Sequence, residues 1–193
     1  MTGVYALRLS DINDKEELLW RAVGSERREK ARRFRQRDDR LRCLAAGYLT
    51  EKYLPGFSAE RLRIGKDGKP FLDGGAAFSI SHGGNFVTLA WDDTAESIGI
   101  DVEPIASMEF FRDILTGYTT REERDAIGGS AKAAVWVWTR KECLYKCIGE
   151  GIDDPLELPE VLNDRVQFRQ RIFSLESREK EGHIFSVARI VFS

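Results

Sequence analysis

The segment SIGIDVEP, residues 97–104, combines an apolar strand pattern with two carboxylates two positions apart. Apolar side chains alternate with Gly99, Asp101 and Glu103, so a strand here has one hydrophobic face and one face that carries both acids. Two carboxylates about 7 Å apart on one strand face repel each other. A hard cation such as Mg²⁺ would relieve the repulsion, because it binds one or two carboxylates together with phosphate oxygens. An edge strand with an acidic, solvated outer face is the alternative, and this segment alone does not separate the two.

The patterns on either side of this segment predict short strands and helices that do not alternate regularly. That order favours an α+β fold of two halves meeting near residue 100 over a doubly wound sheet. The predicted elements are a strand at 3–9, helices at 14–23 and 25–54, a strand at 61–64, a hairpin of 78–82 with 86–91, a strand at 98–102, a helical or irregular segment at 107–127, a helix at 130–148, and strands at 166–169, 172–175 and 184–192.

The composition is that of a globular chain with little overall charge. Of 193 residues, 42% are hydrophobic and the net charge is −2, so the chain can form a core and has no global attraction to nucleic acid or membranes. The N-terminal residues do not predict a signal peptide, and no apolar run reaches the roughly 18 residues that span a bilayer. The three cysteines lack the spacing of a zinc site, and Cys143 and Cys147 are expected to be buried thiols in a reducing compartment. We therefore expect a soluble, cytoplasmic protein.

The predicted helix at 130–148 carries a charged arc opposite its apolar face. Lys141, Glu142 and Lys146 fall within roughly 140° of one another around the helix. Glu142 and Lys146 are four residues apart, so a solvated ion pair explains them. The alternative is a site in which the lysines neutralise phosphate and the carboxylate takes a proton. Trp138 and Tyr145 share the arc, and large aromatic side chains among charges indicate a covered surface.

Two upstream segments contain groups that bind anions. In SISHGGN, residues 79–85, Ser81 and His82 lead into glycines whose backbone N–H groups can face an anion. A plain hairpin turn explains the same residues, whereas a Ser–His protease does not, because adjacent strand residues point to opposite faces. Segment 27–42 holds nine cations and three anions. It could bind nucleic-acid phosphates, bind one small polyanion, or form a solvated helix face.

Taken in order, these segments resemble the 4′-phosphopantetheinyl transferase family, in its two-lobed, surfactin-synthetase-activating type. Members move the phosphopantetheine arm of coenzyme A to a serine of a carrier protein and release 3′,5′-ADP. The resemblance implies two similar α+β lobes related by a pseudo-twofold axis, each a small, mostly antiparallel sheet packed with helices. Six motifs between about residues 25 and 155 carry it: SERREKARRF at 25–34, GKP at 68–70, SISHGG at 79–84, GIDVE at 99–103, YTTREE at 118–123 and WTRKECLYK at 138–146.

The resemblance also implies a lobe division and a role for each matched residue. An N-terminal lobe, 1–97, would contact coenzyme A, and a C-terminal lobe, 98–193, would hold Mg²⁺ and the catalytic residues, with the active site between them. Glu123 is a possible alternative to its neighbour Glu122 as third metal ligand. The implied residues are Asp101, Glu103 and Glu122 for Mg²⁺; Glu142 as general base; Lys141 and Lys146 for the pyrophosphate and leaving group; Ser81 and His82 for coenzyme A phosphates; Arg27, Lys30 and Arg42 for the 3′-phosphate; and Lys69 and Pro70 for the adenine side.

The expected partner is an apo acyl or peptidyl carrier protein or carrier domain, with coenzyme A as co-substrate and neither nucleic acid nor membrane involved. Fatty acid, polyketide and nonribosomal peptide pathways all use such carriers, and the sequence does not choose among them. We expect a monomer, since two lobes already form a cleft. A non-catalytic coenzyme A- or carrier-binding protein of the same fold is the main alternative. A nucleic-acid-binding protein using segment 27–42 is another.

Overall fold

The computed structural model describes residues 1–66, 68–105, 115, 117–149, 157 and 159–191. In these residues the fold is α+β, as the order of the predicted elements indicates. Its strands are β1 (Thr2–Arg8), β2 (Leu62–Ile64), β3 (Pro70–Leu72), β4 (Ala77–Gly83), β5 (Phe86–Asp92), β6 (Ile98–Pro104), β7 (Arg165–Phe168), β8 (Arg171–Lys180) and β9 (His183–Val191); its helices are α1 (Glu16–Ala22), α2 (Ser25–Arg32), α3 (Arg37–Tyr53), α4 (Arg121–Ile127) and α5 (Ala131–Ile148).

The described strands form three antiparallel sheets. The first has the order β1-β5-β4, the second pairs β2 with β3, and the third has the order β6-β9-β8-β7. The predicted β4–β5 hairpin is confirmed, and its register pairs Gly83 with Phe86 across the turn. In the third sheet Asp101 lies opposite Ser186 of β9. The small antiparallel sheets therefore agree with the predicted fold class.

Two main hydrophobic cores accompany the sheets. One is built from buried residues between Leu9 and Trp91, around α3 and the first sheet. The other is built from buried residues between Leu115 and Ala188, around α5 and the third sheet. A smaller cluster of Ala90, Ile98, Ile100 and Val187 connects the two. The proposed lobe boundary at residue 97 stays a prediction.

The single long helix predicted for 25–54 is wrong, because the chain forms α2 and α3 with a break between Arg32 and Arg37. Gln36 is extended, with φ −78° and ψ 137°, and α3 begins with Asp38 and Asp39 in its first turn. Carboxylates favour the positive N-terminal end of a helix, so these acids mark a new helix start inside the basic segment. Apolar residues recur at helical spacing on both sides of the break, so the sequence pattern did not indicate that the helix is interrupted.

The other predicted elements that the structure describes are confirmed to within a few residues, except that β8 continues to Lys180. The helix predicted for 130–148 begins after Ser130, whose side chain accepts a hydrogen bond from Ala133 N, and ends at Gly149 with φ 65°. These are the N-cap and left-handed C-cap residues expected at helix ends. Residues 107–114 and 116 of the segment predicted for 107–127, and residue 192 of the strand predicted for 184–192, lie outside the described residues.

Strand β6 is an edge strand of its sheet, but other elements cover both its free edge and the face that carries Gly99. Its free edge lies against β4, where Ser79 Oγ accepts a hydrogen bond from Ile100 N at 3.2 Å. Helix α5 covers the face that carries Gly99, whose Cβ, if present, would lie 2.6 Å from Cys147 N. Asp101 is only 3% exposed. The alternative of a solvated acidic edge is therefore wrong for Asp101.

No helix among the described residues is both long and apolar enough to cross a bilayer.

Candidate active site

Three elements bring their polar side chains together where β4, β6 and α5 meet. Lys146 Nζ lies 2.6 Å from Asp101 Oδ1 and 3.0 Å from Ser81 Oγ. The Ser81 hydroxyl donates a hydrogen bond to the same Asp101 oxygen at 2.7 Å. Lys146 thus pairs across the fold with Asp101, and the site contains residues of both the first and the third sheet.

Asp101 has one satisfied and one unsatisfied carboxylate oxygen. Oδ1 accepts the two hydrogen bonds above, whereas Oδ2 is buried and has no hydrogen-bond partner among the described residues. An unpaired buried acceptor costs about 1–3 kcal/mol, so such groups call for a ligand or ion. Oδ2 is a position where a cation would find a ready oxygen.

Glu103 and Glu142 share the electrostatic environment of Asp101. Burial raises the pKa of Glu103 to about 7, and the negative charges of Asp101 and Glu142 add to the rise while Lys146 opposes it. Burial also raises the pKa of Glu142, with Lys146 opposing and Asp101 adding to the shift. Three carboxylates and one ammonium group therefore act on one another at this place, and all four belong to the residues singled out from the sequence.

Two glycines allow the elements to approach this closely. A Cβ on Gly83 of β4 would lie 2.9 Å from the Val102 carbonyl carbon, and closer still to its oxygen. A Cβ on Gly99 would lie 2.6 Å from Cys147 N in α5. Side chains at these positions would push β4 and α5 away from β6. Gly83 of SISHGG and Gly99 of GIDVE therefore permit close packing of β4 and α5 on β6. This role is additional to the anion-binding turn that the sequence suggested for SISHGGN.

Two adjoining cavities open beside the cluster and share Gly68, Pro70 and Ile80. The larger encloses 670 Å³ and is lined by the predicted residues Arg27, Lys30, Pro70 and His82, among others. The smaller encloses 240 Å³ and is lined by the predicted residues Lys69, Pro70 and Lys146, and by the half-exposed Tyr145. Most of the residues that the sequence assigned to coenzyme A thus line one continuous cleft.

Arg42 and several other cations of segment 27–42 have intramolecular partners. Arg42 lies 3.0 Å from Asp39 and donates to the Gly84 carbonyl at 3.4 Å, in the turn after His82. Arg37 pairs with Glu16 at 3.0 Å. Much of the positive charge in this segment therefore ties α2 and α3 to their surroundings, instead of forming a free cationic surface.

Residues 97–188 match the family described as the 4′-phosphopantetheinyl transferase superfamily. The matched range contains Asp101, Glu103, Glu142 and Lys146. Among curated proteins, the 4′-phosphopantetheinyl transferases ffp of Bacillus subtilis and Sfp of Bacillus subtilis strain 168 are each 29% identical, over 173 and 168 residues. Each alignment covers 80% of this chain and 72% of the relative. Residues 97–188 of this chain are therefore similar to members of that superfamily.

Two further residues that the resemblance assigned to the site, Glu122 and Lys141, lie on helices α4 and α5. Glu122 is exposed in the first turn of α4, and no contact of its carboxylate with Asp101 or Glu103 is found among the described residues. Lys141 is buried, 3.0 Å from the Glu123 carboxylate, and donates to the Pro159 carbonyl at 3.1 Å. The roles predicted for Glu122 and Lys141 stay predictions.

The carboxylate of Glu123, the alternative third metal ligand, already binds other groups in the C-terminal half of the chain. It accepts hydrogen bonds from Thr120 N and Val161 N, both at 2.9 Å, besides its ion pair with Lys141. Glu123 N in turn donates a hydrogen bond to Thr120 Oγ1 at 3.2 Å, which makes a capping box at the start of α4. YTTREE therefore contains a helix N-terminus whose buried acid anchors the loop around Val161.

The carboxylates present are suited to Mg²⁺ when phosphate oxygens complete its coordination. Among the described residues, no three His, Cys, Asp or Glu side chains form a ready cluster for a metal. Asp101 nevertheless has a buried, unpaired Oδ2, and Glu103 is on the same strand two residues away. Mg²⁺ commonly uses one or two carboxylates with substrate phosphates and waters. The residues therefore fit a metal that binds together with a phosphorylated substrate.

Proposed function

We propose that this protein transfers the 4′-phosphopantetheine arm of coenzyme A to a serine hydroxyl of an apo carrier protein, releasing 3′,5′-ADP. The observation that carries the proposal is the contact of Lys146 with Asp101 and Ser81 beside the smaller cavity, with one Asp101 oxygen unsatisfied. The match of residues 97–188 to the superfamily and the names of the two relatives support the same activity.

In the proposed reaction the serine oxygen attacks the phosphorus that bears the pantetheine arm. The bond from that phosphorus to the oxygen of 3′,5′-ADP breaks, and the serine proton passes to a base. Glu142 is our candidate base, because burial raises the pKa of its carboxyl and so makes it a better proton acceptor. Lys146 would stabilise the negative charge that develops on the leaving phosphate oxygen. Lys141 could assist only by leaving its ion pair with Glu123.

Asp101 and Glu103 are the residues that would hold Mg²⁺ on the pyrophosphate. The bound ion would supply Lewis-acid polarisation of phosphate oxygens and orientation of the substrate. Glu122 is the third ligand that the resemblance implies, and Glu142 is a second candidate because it already acts electrostatically on Glu103. A metal-bound Glu142 would not also serve as the base, because the cation would lower the pKa of its carboxyl. The choice between Glu122 and Glu142 is open to a direct binding test.

The larger cavity is the proposed site of the 3′-phosphoadenosine part of coenzyme A. Arg27 and Lys30 line it together with His82, and the nearby Arg42 would extend the cationic wall towards the 3′-phosphate. Pro70 lines both cavities and supports the adenine side. This arrangement would place the pyrophosphate between the cationic wall and Lys146.

We propose further that the carrier is an acyl or peptidyl carrier protein and that the enzyme acts as a cytoplasmic monomer. The three cysteines, Cys43, Cys143 and Cys147, are buried free thiols, which suits a reducing compartment. Fatty acid, polyketide and nonribosomal peptide carriers are all compatible with the proposed chemistry.

The test is incubation of the protein with coenzyme A, Mg²⁺ and apo carrier proteins of each type, read by intact mass. We expect a carrier mass gain equal to phosphopantetheine, lost with EDTA and reduced at least about 100-fold by Asp101→Asn. Asp125→Asn, which changes an exposed acid on α4, is the matched control and should leave the rate unchanged. Binding of coenzyme A without a mass gain on any carrier would instead indicate the non-catalytic alternative.

A further inference from the structure

Lys69 is engaged in a chain of hydrogen bonds that joins the two halves of the fold. Its ammonium group donates to Ser97 Oγ at 2.8 Å and to the Ile98 carbonyl at 3.1 Å. The Ser97 hydroxyl donates in turn to the Cys147 carbonyl of α5 at 2.6 Å. The chain runs from the β2–β3 turn, through the residue before β6, to the last turn of α5.

The end of α5 suits an ammonium group for two reasons. The last carbonyls of a helix lack intrahelical partners and carry partial negative charge, which favours a cation. The C-cap residue Gly149 has no side chain, and a Cβ there would lie 3.3 Å from Lys69 Cδ. Burial lowers the pKa of Lys69, as expected for an ammonium withdrawn from water.

The turn that carries Lys69 also forms a wall of the cleft. It is closed by hydrogen bonds from Gly65 N to the Lys69 carbonyl at 2.8 Å and from Gly68 N to the Gly65 carbonyl at 3.0 Å. Gly68 and Pro70 line both cavities. Sheet β2–β3 has only two strands, and such small sheets are marginally stable without further support. The position of this wall therefore depends on contacts outside its own sheet.

We propose that Lys69 is a positioning residue, whose ammonium fastens the β2–β3 turn to Ser97 and to the end of α5 and thereby fixes the wall of the coenzyme A cleft. This differs from the adenine contact that the resemblance implied for its side chain, because the ammonium already has two partners within the protein. For the identity of the substrate the inference rests on the proposed function. The attachment of the β2–β3 turn by Lys69 does not depend on the proposed function.

The test uses Lys69→Met, which keeps most of the stem but removes the ammonium, Ser97→Ala, and the double variant. Lys66→Met, an exposed lysine of the same turn, is the matched control. Hydrogen exchange of residues 68–72 should accelerate in the Lys69 and Ser97 variants and not in the control. The KM for coenzyme A should rise about tenfold in Lys69→Met with kcat within twofold of the wild type, since loss of one buried charged contact is of that order. Both in the exchange rates of residues 68–72 and in KM, the double variant should stay within about twofold of Lys69→Met, because both changes break the same chain.

Three results would overturn the inference. One is a fall in kcat for Lys69→Met without a change in Ser97→Ala, since the ammonium would then act on the reacting phosphates. Another is full additivity of the two variants, and the third is unchanged exchange of residues 68–72 in Lys69→Met. Failure of the proposed function would appear differently, as absence of carrier modification by the wild type. Hydrogen exchange of residues 68–72 in the single and double variants would still decide the role of Lys69, because this measurement does not need turnover.

Discussion

Gly99→Ala tests whether the contact of β6 with α5 sets the geometry of the candidate active site. The new Cβ would lie 2.6 Å from Cys147 N and closer still to the Cys143 carbonyl oxygen, whereas ordinary contacts begin near 3.4 Å. Helix α5 would therefore have to move by about 0.8 Å or more, because both contacts are with helix backbone that cannot rotate away. Overpacking of this kind costs about 1–3 kcal/mol, and contact with backbone places Gly99→Ala at the upper end of that range.

The same displacement would act on the catalytic groups. Lys146 belongs to α5 and Asp101 to β6, and their side chains are 2.6 Å apart. A helix shift of about 0.8 Å would stretch this contact towards the limit of a hydrogen bond, unless the side chains followed. Misplacement of about 1 Å can cost about 100-fold in rate. Gly99→Ala should therefore lose far more activity than its loss of stability alone would cause.

The assay combines urea unfolding with the rate of carrier modification, measured well below the unfolding midpoint. We expect a loss of about 3 kcal/mol in the free energy of unfolding, a fall of about 6–12 °C in Tm, and a rate reduced about 100-fold. Gly117→Ala is the control, because Gly117 is exposed and a Cβ there would meet no atom of the described residues within 4 Å. A Gly99→Ala protein whose stability lies within about 0.5 kcal/mol of the wild type, the range of neutral surface changes, would refute the reasoning.

Three further predictions test other parts of the molecule. Burial raises the pKa of Asp92, but hydrogen bonds from Thr2, Thr94 and the backbone outweigh it and lower the pKa from 3.8 to about 2. Asp92→Asn should therefore cost up to about 2 kcal/mol of unfolding free energy at pH 7, and this deficit should shrink as pH falls from about 4 to 2; a deficit constant over that range would contradict it. Lys146→Met should lower kcat by about 10²–10³ in the mass assay, and an unchanged kcat would remove Lys146 from the chemistry. By calorimetry with coenzyme A present, Glu122→Gln should weaken Mg²⁺ binding more than Glu142→Gln, whereas the opposite order would make Glu142 the third ligand and remove it as the base.

Local patterns predicted the elements that depend on nearby residues. Alternation of apolar side chains and the glycines that follow His82 predicted the β4–β5 hairpin, and the helical pattern of residues 130–148 predicted α5. The two acids of GIDVE predicted a polar site on β6 for the same reason. Each of these signals lies within one element or at its ends, where sequence spacing translates directly into geometry.

Contacts between distant elements could not be predicted in this way. Nothing local indicates that Ser81 and Asp101, twenty residues apart, share a hydrogen bond, or that Lys141 pairs with Glu123. Ser97 was not singled out either, since a serine before a strand is ordinary. The one available signal was the pair of glycines at 83 and 99, because a glycine within a strand pattern indicates close approach of another backbone.

The pairing of β6 with β9 has a consequence for when the site can form during synthesis. Partners in this ladder are between 79 and 91 positions apart in the chain, and β9 is the neighbour that connects β6 to the rest of its sheet. Loop closure over such a distance is slow, and the chain leaves the ribosome from its N-terminal end. The first sheet with α3 can therefore fold early, whereas Asp101 must wait for β9 to be synthesised. A ribosome-bound chain ending before residue 183 should already hold a folded first sheet and should not yet modify a carrier protein.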